Sequence, residues 1–369
     1  MAELLPLGTQ IAGDSPPDVF VGRHGYPHVS AGPLVPAKGD LSFNSADWAR
    51  MDVGDIVSLR SSMVRSGTSI DVKDARNPGT ILGKAQEIAM SSAPVGTEVT
   101  FLKPPRGQVR FDGYLMPSGP TGSVKKLDIT TNPSIPRKVD AVVDDSDMKA
   151  TLAVGELYDS GVDVDGISRL LSLGLLGKKR KMVPTRWSIT ATDDTTGKSL
   201  IPHVLDMPSV NEYILFSGER LGNHFEILLM PGVYSYELVE IWLPRSIWSG
   251  EETWIGADRE GPGGKKGYSN LSGGYYAARL ALLEHLTFIR RQASALLVRE
   301  ISEKYWAPLG VWVVREAARA ALANSPQKFE SREEALAEMR TRIRTPICEW
   351  RAQSELVGGS RQTTLASFF

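Results

Sequence analysis

The chain has 369 residues, of which 41% are hydrophobic and 23% are charged, as is usual for globular proteins. Its formal net charge of −1 excludes a global field that attracts DNA or membranes, so any nucleic-acid binding depends on a local basic patch. The single cysteine, Cys348, excludes an internal disulfide framework and a multi-cysteine zinc site, and the five scattered histidines indicate no metal site.

The first half of the chain predicts short alternating elements. After a polar lead-in, the glycines and prolines of residues 19–36 favour short strands joined by tight turns. Two helices and two strands are expected next, at residues 47–65, 78–92, 97–104 and 108–117. A loop-rich stretch is expected over residues 117–137, followed by two helices within residues 144–176.

The second half predicts strands and then helices. Residues 186–192 alternate like a strand, and residues 193–197 have the composition of a turn. Three strand patterns follow, which indicates an antiparallel β-meander over residues 210–245. Beyond a Gly-rich loop at residues 259–274, apolar spacing predicts one long helix followed by two shorter ones, at residues 275–301, 312–323 and 331–343.

The predicted fold class is therefore α+β (mixed α/β). It consists of an N-terminal region with an antiparallel β-meander plus helices, then a mostly helical C-terminal region and a flexible tail. The predicted boundaries are residues 1–16 for the lead-in, 17–262, 263–352, and 353–369 for the tail. The N-terminus has no signal-peptide pattern, and the most apolar short stretch is far below the roughly 20 residues that span a bilayer. We therefore expect a cytoplasmic protein with no membrane partner.

Basic side chains cluster in two places. Four consecutive cations precede the predicted strand at 186–192, and two lysines lie in the Gly-rich loop. These groups are candidates for contacts with nucleic-acid phosphates, which carry affinity rather than sequence specificity. A solvated loop and an interdomain linker are the alternatives. The residues concerned are Lys178, Lys179, Arg180, Lys181, Arg186, Lys265 and Lys266.

A second group of residues is a candidate pocket for an enzyme acting on a nucleotide or nucleic acid. Arginines and carboxylates together can bind phosphates and activate water, provided that they converge in space. An aromatic residue at the start of the 275–301 helix could stack on a base, although such residues more often belong to the core. The residues concerned are Arg23, Arg186, Asp193, Asp194, Tyr275 and Arg279. No cofactor is predicted, and Mg²⁺ belongs only to this enzyme hypothesis. The sequence leaves open whether the protein is an enzyme.

The C-terminal residues QTTLASFF form the most specific motif in the chain. One tight turn would bring Leu365, Phe368 and Phe369 to one side as an apolar plug, leaving Gln362 to hydrogen-bond separately. This spacing resembles the box by which archaeal and eukaryotic proteins bind the replication sliding clamp, PCNA. The alternative is a terminal segment that docks on its own core.

Four longer stretches resemble the archaeal Nre proteins, a family of DNA-repair proteins with N- and C-terminal family regions. These stretches are residues 20–36, 182–191, 273–286 and 305–319. The resemblance implies a role in DNA-damage repair and clamp binding through Gln362, Leu365, Phe368 and Phe369. The cysteine zinc finger of some members has no counterpart here.

The leading hypothesis is a repair factor that is recruited to DNA by binding the clamp, with DNA as a further partner. There are two alternatives. One is an enzyme that processes a nucleotide or nucleic acid and carries the clamp motif as an accessory. The other is a non-catalytic scaffold between the clamp and another repair protein.

Overall fold

A computed structural model describes residues 7–37, 48, 51–107, 109–113, 115–247 and 249–358. The chain divides into two units, one formed by residues 1–196 with 307–311 and the other by residues 197–306 with 312–369. In the part of the chain that is described, each unit contains one mixed sheet of six strands together with helices. The predicted α+β class is therefore confirmed.

The sheet of the first unit contains one parallel pair among antiparallel neighbours. Its strands are Gln10–Ser15 (β1), Val19–Val21 (β2), His28–Pro36 (β3), Met63–Asp71 (β4), Val95–Phe101 (β5) and Thr121–Ile129 (β6). They lie in the order β1-β5-β6-β4-β3-β2, and β4 and β6 form the parallel pair.

Strand β6 corrects the loop that the sequence predicted over residues 117–137. A β-bulge places its buried residues Val124 and Leu127 three positions apart, which hides the period of two that identifies a strand. The strand expected at 108–117 is reduced, among its described residues, to a bridge between Arg110 and Ser118.

The helices of the first unit cover its sheet, and one of them, at residues 137–144, was not predicted. They are Val53–Ser61 (α1), Thr80–Met90 (α2), Arg137–Asp144 (α3), Ala150–Asp159 (α4) and Val164–Ser172 (α5). The helix predicted at 78–92 and the pair predicted within 144–176 are confirmed as α2, α4 and α5. Leu82 and Ala85 of α2 enter one apolar cluster and Ile88 enters another, so this helix joins two parts of the core.

Helix α6, Thr185–Leu205, occupies the residues predicted as a strand and a turn. That prediction was wrong, and Asp193 and Asp194 lie within a helix rather than at a strand end. Ser188, Thr192 and Thr196 are all fully buried at a spacing of four residues, which is a helical face. Tertiary burial of this face overrides the β-propensity of the threonines and isoleucine.

The sheet of the second unit is not the meander that the sequence predicted. Its strands are Tyr213–Arg220 (β7), Asn223–Met230 (β8), Ser235–Trp242 (β9), Trp254–Glu260 (β10), Ser294–Ile301 (β11) and Gln327–Phe329 (β12). They lie in the order β10-β9-β11-β8-β7-β12, so β11 separates β8 from β9 and runs parallel to β9.

Four helices accompany this sheet: Ser272–Ile289 (α7), Trp312–Leu322 (α8), Arg332–Arg342 (α9) and Ile347–Arg351 (α10). The single helix predicted at 275–301 ends early, because Arg290 adopts a left-handed conformation with φ of 53° and the chain then enters β11. This central strand is an apolar run buried between two neighbours, and periodicity alone cannot distinguish such a run from a helix. No described helix combines the length and apolar character needed to cross a membrane.

Candidate functional site

A cleft opens in the first unit where the parallel strands β4 and β6 separate. Their ladder runs from Arg65↔Thr121 to Gly67↔Ser123, after which β4 pairs only with β3 and β6 only with β5. The cleft between the separated ends has a volume of about 620 Å³. This volume is in the range of small-molecule sites, roughly 300–1,000 Å³. The lining residues are His28, Asp74, Lys84 and residues 68–71, 79–82 and 125–128.

Two consecutive lysines line this cleft because of the bulge in β6. Thr100 pairs with Lys126 and Phe101 pairs with Val124, which leaves Lys125 as the extra residue. Consecutive side chains of a regular strand point to opposite faces. Here Lys125 and Lys126 both line the cleft and both are exposed. Bulges commonly redirect side chains in this way near functional sites.

The wall formed by α2 and β6 carries an excess of positive charge. The ammonium of Lys84 donates to the carbonyl of Leu127 and to the carboxylate of Asp128, each at 2.8 Å. The ammonium of Lys126 lies 2.6 Å from the other oxygen of Asp128. Hydrogen bonds from Lys126 and Lys84 lower the pKa of Asp128. The hydrogen bond between Lys126 and Asp128 also raises the pKa of Lys126. Lys125 forms no ion pair within the described part of the chain.

The opposite wall is acidic. Asp71 ends β4 and accepts a hydrogen bond from the backbone amide of Lys73 at 2.9 Å, while Asp74 lies in the following 3₁₀ turn. The Nε2 atom of His28 lies 4.0 Å from a carboxylate oxygen of Asp71. The cleft therefore has one wall with an excess of ammonium groups and one acidic wall, an arrangement that orients a polar ligand with an anionic end.

An exposed aromatic pair lies in the same unit. Tyr26 and Trp187 are 53% and 51% exposed, and their ring centroids are 6.4 Å apart. Tyr26 belongs to the turn between β2 and β3 that also holds the exposed Arg23, and it is two residues from His28 of the cleft. Exposed aromatic rings provide sequence-tolerant platforms on which nucleic-acid bases stack.

The predicted basic run divides into exposed and structural members. Lys178, Lys179 and Lys181 are exposed. The guanidinium of Arg180 instead donates to the backbone carbonyls of Leu175, Val143 and Asp145, and burial lowers its pKa. Arg180 therefore holds the loop in place, and the three lysines keep their ammonium groups available to solvent.

The six residues of the predicted pocket come from three parts of the chain. Arg186, Asp193 and Asp194 lie on α6, where Asp193 is fully buried, and Arg23 lies in the β2–β3 turn. Tyr275 and Arg279, by contrast, lie one turn apart on α7 of the second unit. The structure brings these last two together around a buried carboxylate.

That carboxylate belongs to Glu260, at the end of β10. The guanidinium of Arg279 lies 2.9 Å from Glu260, and both side chains are fully buried. The hydroxyls of Tyr234 and Tyr275 donate to the same carboxylate at 2.8 and 3.3 Å. Burial and then the Glu260 charge raise the pKa of Tyr234 well above its ordinary value of 10, so its hydroxyl keeps the proton that it donates. Tyr275 thus belongs to the core of this unit.

The Gly-rich loop attaches to the same region through Lys265. Its ammonium contacts the carboxylate of Asp258 and lies 5.4 Å from the ring centroid of Tyr275. Burial alone would raise the pKa of Asp258, but hydrogen bonds from Lys265 and Ser269 outweigh it and lower that pKa. Lys265 therefore fastens the loop to β10, whereas Lys266 is exposed.

The last described residues are held against β9 by a buried carboxylate. Glu237 is 1% exposed and accepts hydrogen bonds from the hydroxyl of Ser354 and from the amides of Glu355 and Leu356, the latter two at 2.7 and 3.1 Å. Val357 is buried in the adjoining apolar cluster. We call residues 354–357 with Glu237 the C-terminal anchor. The first residues of the predicted tail are thus part of the second unit, and Gln362, Leu365, Phe368 and Phe369 lie outside the described residues.

Comparison with known proteins decides the family. Residues 3–249 match the family described as "Archaeal Nre, N-terminal", and residues 260–368 match "Archaeal Nre, C-terminal". The chain belongs to the archaeal Nre family.

Three relatives match over nearly the full Nre chain. The chain is 43% identical to DNA repair protein NreA of Archaeoglobus fulgidus over 99% of its own length and 92% of the relative. It is 38% identical to DNA repair protein NreB of the same organism, over 97% and 92% of the two chains. Identity to DNA repair protein NreA of Haloferax volcanii is 35%, over 98% and 89%. No solved structure matches the chain significantly.

We expect Glu237→Gln to loosen the C-terminal anchor of this Nre chain. An amide has one oxygen and would turn an N–H group toward donors that now bind a carboxylate. The expected loss is about 2 kcal/mol in the free energy of unfolding, with faster hydrogen exchange at the amides of Glu355 and Leu356. Denaturant titration and hydrogen-exchange mass spectrometry measure the two effects.

Glu355→Gln is the matched control, because Glu355 is exposed and pairs with the exposed Arg259. That change should cost less than about 1 kcal/mol. Equal destabilisation by the two substitutions would contradict the role given to Glu237.

Sequence reasoning missed the cleft of this Nre chain entirely. Lys84 lies on α2, about forty residues before Lys125, Lys126 and Asp128 of β6, and none of them belongs to a recognised motif. The adjacent pair Lys125 and Lys126 in a stretch with strand-forming flanks is the one local signal, because both lysines of a regular strand could not face one site. Detecting it requires knowing that the stretch is a bulged strand.

Proposed function

We propose that this Nre-family chain acts in DNA-damage repair and that it is recruited to DNA by binding the replication sliding clamp. Gln362, Leu365, Phe368 and Phe369 would occupy the clamp's binding pockets. The core would contact DNA or a repair partner at the place where the clamp holds it. The names of the relatives support the repair role, and the spacing of the terminal motif supports the clamp as the partner.

The observation that carries the clamp proposal is the motif together with the anchor that precedes it. Gln362 follows Gly358, the last described residue, by four positions. Because an extended chain advances at most about 3.6 Å per residue, these two residues are separated by no more than about 14 Å. A clamp bound to the motif would therefore hold the second unit close to its own surface, and close to the DNA inside it.

A chain ending at Gly358 tests this proposal. The truncated chain retains the anchor, so its melting temperature should match that of the full chain. In size-exclusion chromatography with the purified clamp, the full chain should co-elute with it and the truncated chain should elute alone. Co-elution of the truncated chain would place clamp binding elsewhere and reject the proposed role of the motif.

A further inference from the structure

We propose that the cleft between β4 and β6 binds the phosphate monoester of a nucleotide. The phosphate would lie against Lys84, Lys125 and Lys126, and the hydroxyl or amino groups of the nucleoside would face Asp71 and Asp74. The ligand is either a free nucleoside monophosphate or the phosphorylated end of a DNA strand. The strand-end form rests on the proposed contact between the core and DNA, whereas the free-nucleotide form does not.

Charge matching favours a monoester. The ammonium groups of Lys84 and Lys126 pair with the single carboxylate of Asp128 on one wall, and Lys125 adds a third ammonium group, which leaves an excess of two positive charges. A phosphate monoester carries about −1.5 to −2 at pH 7, whereas the diester of an internal DNA linkage carries a single negative charge. The wall therefore compensates a terminal phosphate more completely than an internal one.

The arrangement of the cleft favours a nucleotide over free phosphate. A free phosphate would use only the lysine wall, whereas Asp71 and Asp74 offer acceptors on the opposite wall. The volume of about 620 Å³ also accommodates more than one small anion. Donors on a sugar or base would satisfy those carboxylates and fix the ligand's direction in the cleft.

The bulge in β6 places both lysines at the cleft, as bulges near binding sites often do. It interrupts the β5–β6 ladder and leaves two consecutive lysines lining the same cleft. Ammonium groups that line one cleft repel each other. A phosphate would remove that repulsion. Because both lysines are exposed, their substitution should leave the core of the unit intact.

The test measures binding of fluorescent probes to the full chain. The probes are a nucleoside 5′-monophosphate, a short single-stranded oligonucleotide with a 5′-phosphate, and the same oligonucleotide with a 5′-hydroxyl. The cleft variant combines Lys125→Gln with Lys126→Gln. The control variant combines Lys103→Gln with Lys149→Gln, two exposed lysines of the same unit that do not line the cleft. Both variants change the net charge equally.

The cleft variant should bind the phosphorylated probes about 100-fold more weakly, because each lost charge-assisted contact is worth about tenfold. The control variant should bind like the wild type. For the wild type, removing the 5′-phosphate of the oligonucleotide should weaken binding to a similar extent. Tighter binding of the monophosphate than of the phosphorylated oligonucleotide identifies a free nucleotide as the ligand. Binding of the phosphorylated oligonucleotide alone identifies a strand end.

Three results would overturn the proposal: no wild-type binding of either phosphorylated probe, equal losses in the two variants, or indifference to the terminal phosphate. Clamp co-elution of the cleft variant is measured in parallel and should be unchanged. Failure of the cleft and failure of the clamp motif are thereby distinguished.

Discussion

The double substitution Phe368→Ala with Phe369→Ala is expected to abolish clamp binding while leaving the fold intact. In the proposed complex, burial of two phenylalanines and a leucine would supply roughly 5 to 8 kcal/mol before the cost of ordering the tail, and we expect an affinity in the micromolar range. Removing both rings takes away most of that gain. We expect a loss of at least about 100-fold in affinity, measured by isothermal titration calorimetry with the purified clamp.

The chain provides its own control for this experiment. Thr363 and Thr364 lie between Gln362 and Leu365, at two positions where the motif specifies no residue type. Thr363→Ala with Thr364→Ala should therefore bind within about threefold of the wild type. All three proteins should melt together, because the C-terminal anchor is unchanged. Wild-type affinity in the double phenylalanine variant would show that the tail does not carry clamp binding.

Arg279→Met is expected to destabilise the second unit more than any surface substitution. Arg279 and Glu260 form a fully buried ion pair, and methionine would leave the Glu260 carboxylate with two tyrosine hydroxyls as donors. Removing one partner of a buried pair typically costs about 3–5 kcal/mol, because the remaining charge stays desolvated. Denaturant unfolding followed by tryptophan fluorescence would measure the loss.

A double-mutant cycle separates charge from packing at this pair. Glu260→Gln alone should be costly because it removes the carboxylate that pairs with the buried guanidinium, while Glu260→Gln with Arg279→Met removes both members of the pair. We expect the double variant to lose less free energy than the sum of the single variants by at least about 2 kcal/mol. Arg291→Met, at an exposed arginine, should change stability by less than about 0.5 kcal/mol. Strict additivity would contradict the assigned ion pair.

Local patterns in the sequence predicted the elements whose signals are local. Helix α2 carries apolar residues at helical spacing, and the strands β7, β8 and β9 are short runs rich in apolar residues. Their prediction succeeded because such signals lie within a few consecutive residues. The same reasoning failed at α6, where threonines favoured a strand, and only the burial of its Ser and Thr face within the fold selects the helix.

The order of strands in the second sheet could not be predicted from local pattern. The consecutive strands β7, β8 and β9 suggested a meander, yet β11 lies between β8 and β9. Strand β11 runs parallel to β9, so the chain must cross back between them, and β10 and α7 form this connection. Strand neighbours depend on such long-range connections, whereas alternation reports only which face of a strand is buried.

In the candidate sites too, features encoded in contiguous residues could be predicted, and features built from distant residues could not. The terminal motif is a prediction from eight consecutive residues, because a peptide that fits another protein's pocket carries its whole pattern in sequence. Lys84, Lys125 and Asp71 were not recognised, since three separate elements bring them to one cleft. Tyr275 and Arg279 were noticed individually, but their partner Glu260 became apparent only from the packing of β10 against α7.

The sequence by itself determined the family of this chain and its mixed α+β class, and it predicts the linear motif of residues 362–369. Each of these is encoded in contiguous residues or in local periodicity. The tertiary structure alone decided where the parallel strands β4 and β6 separate, which lysines the bulge directs into the cleft, and how Glu237 anchors residues 354–357. These features arise from contacts between residues far apart in the chain, whose partners are selected by the packing of whole elements rather than by their neighbours in sequence.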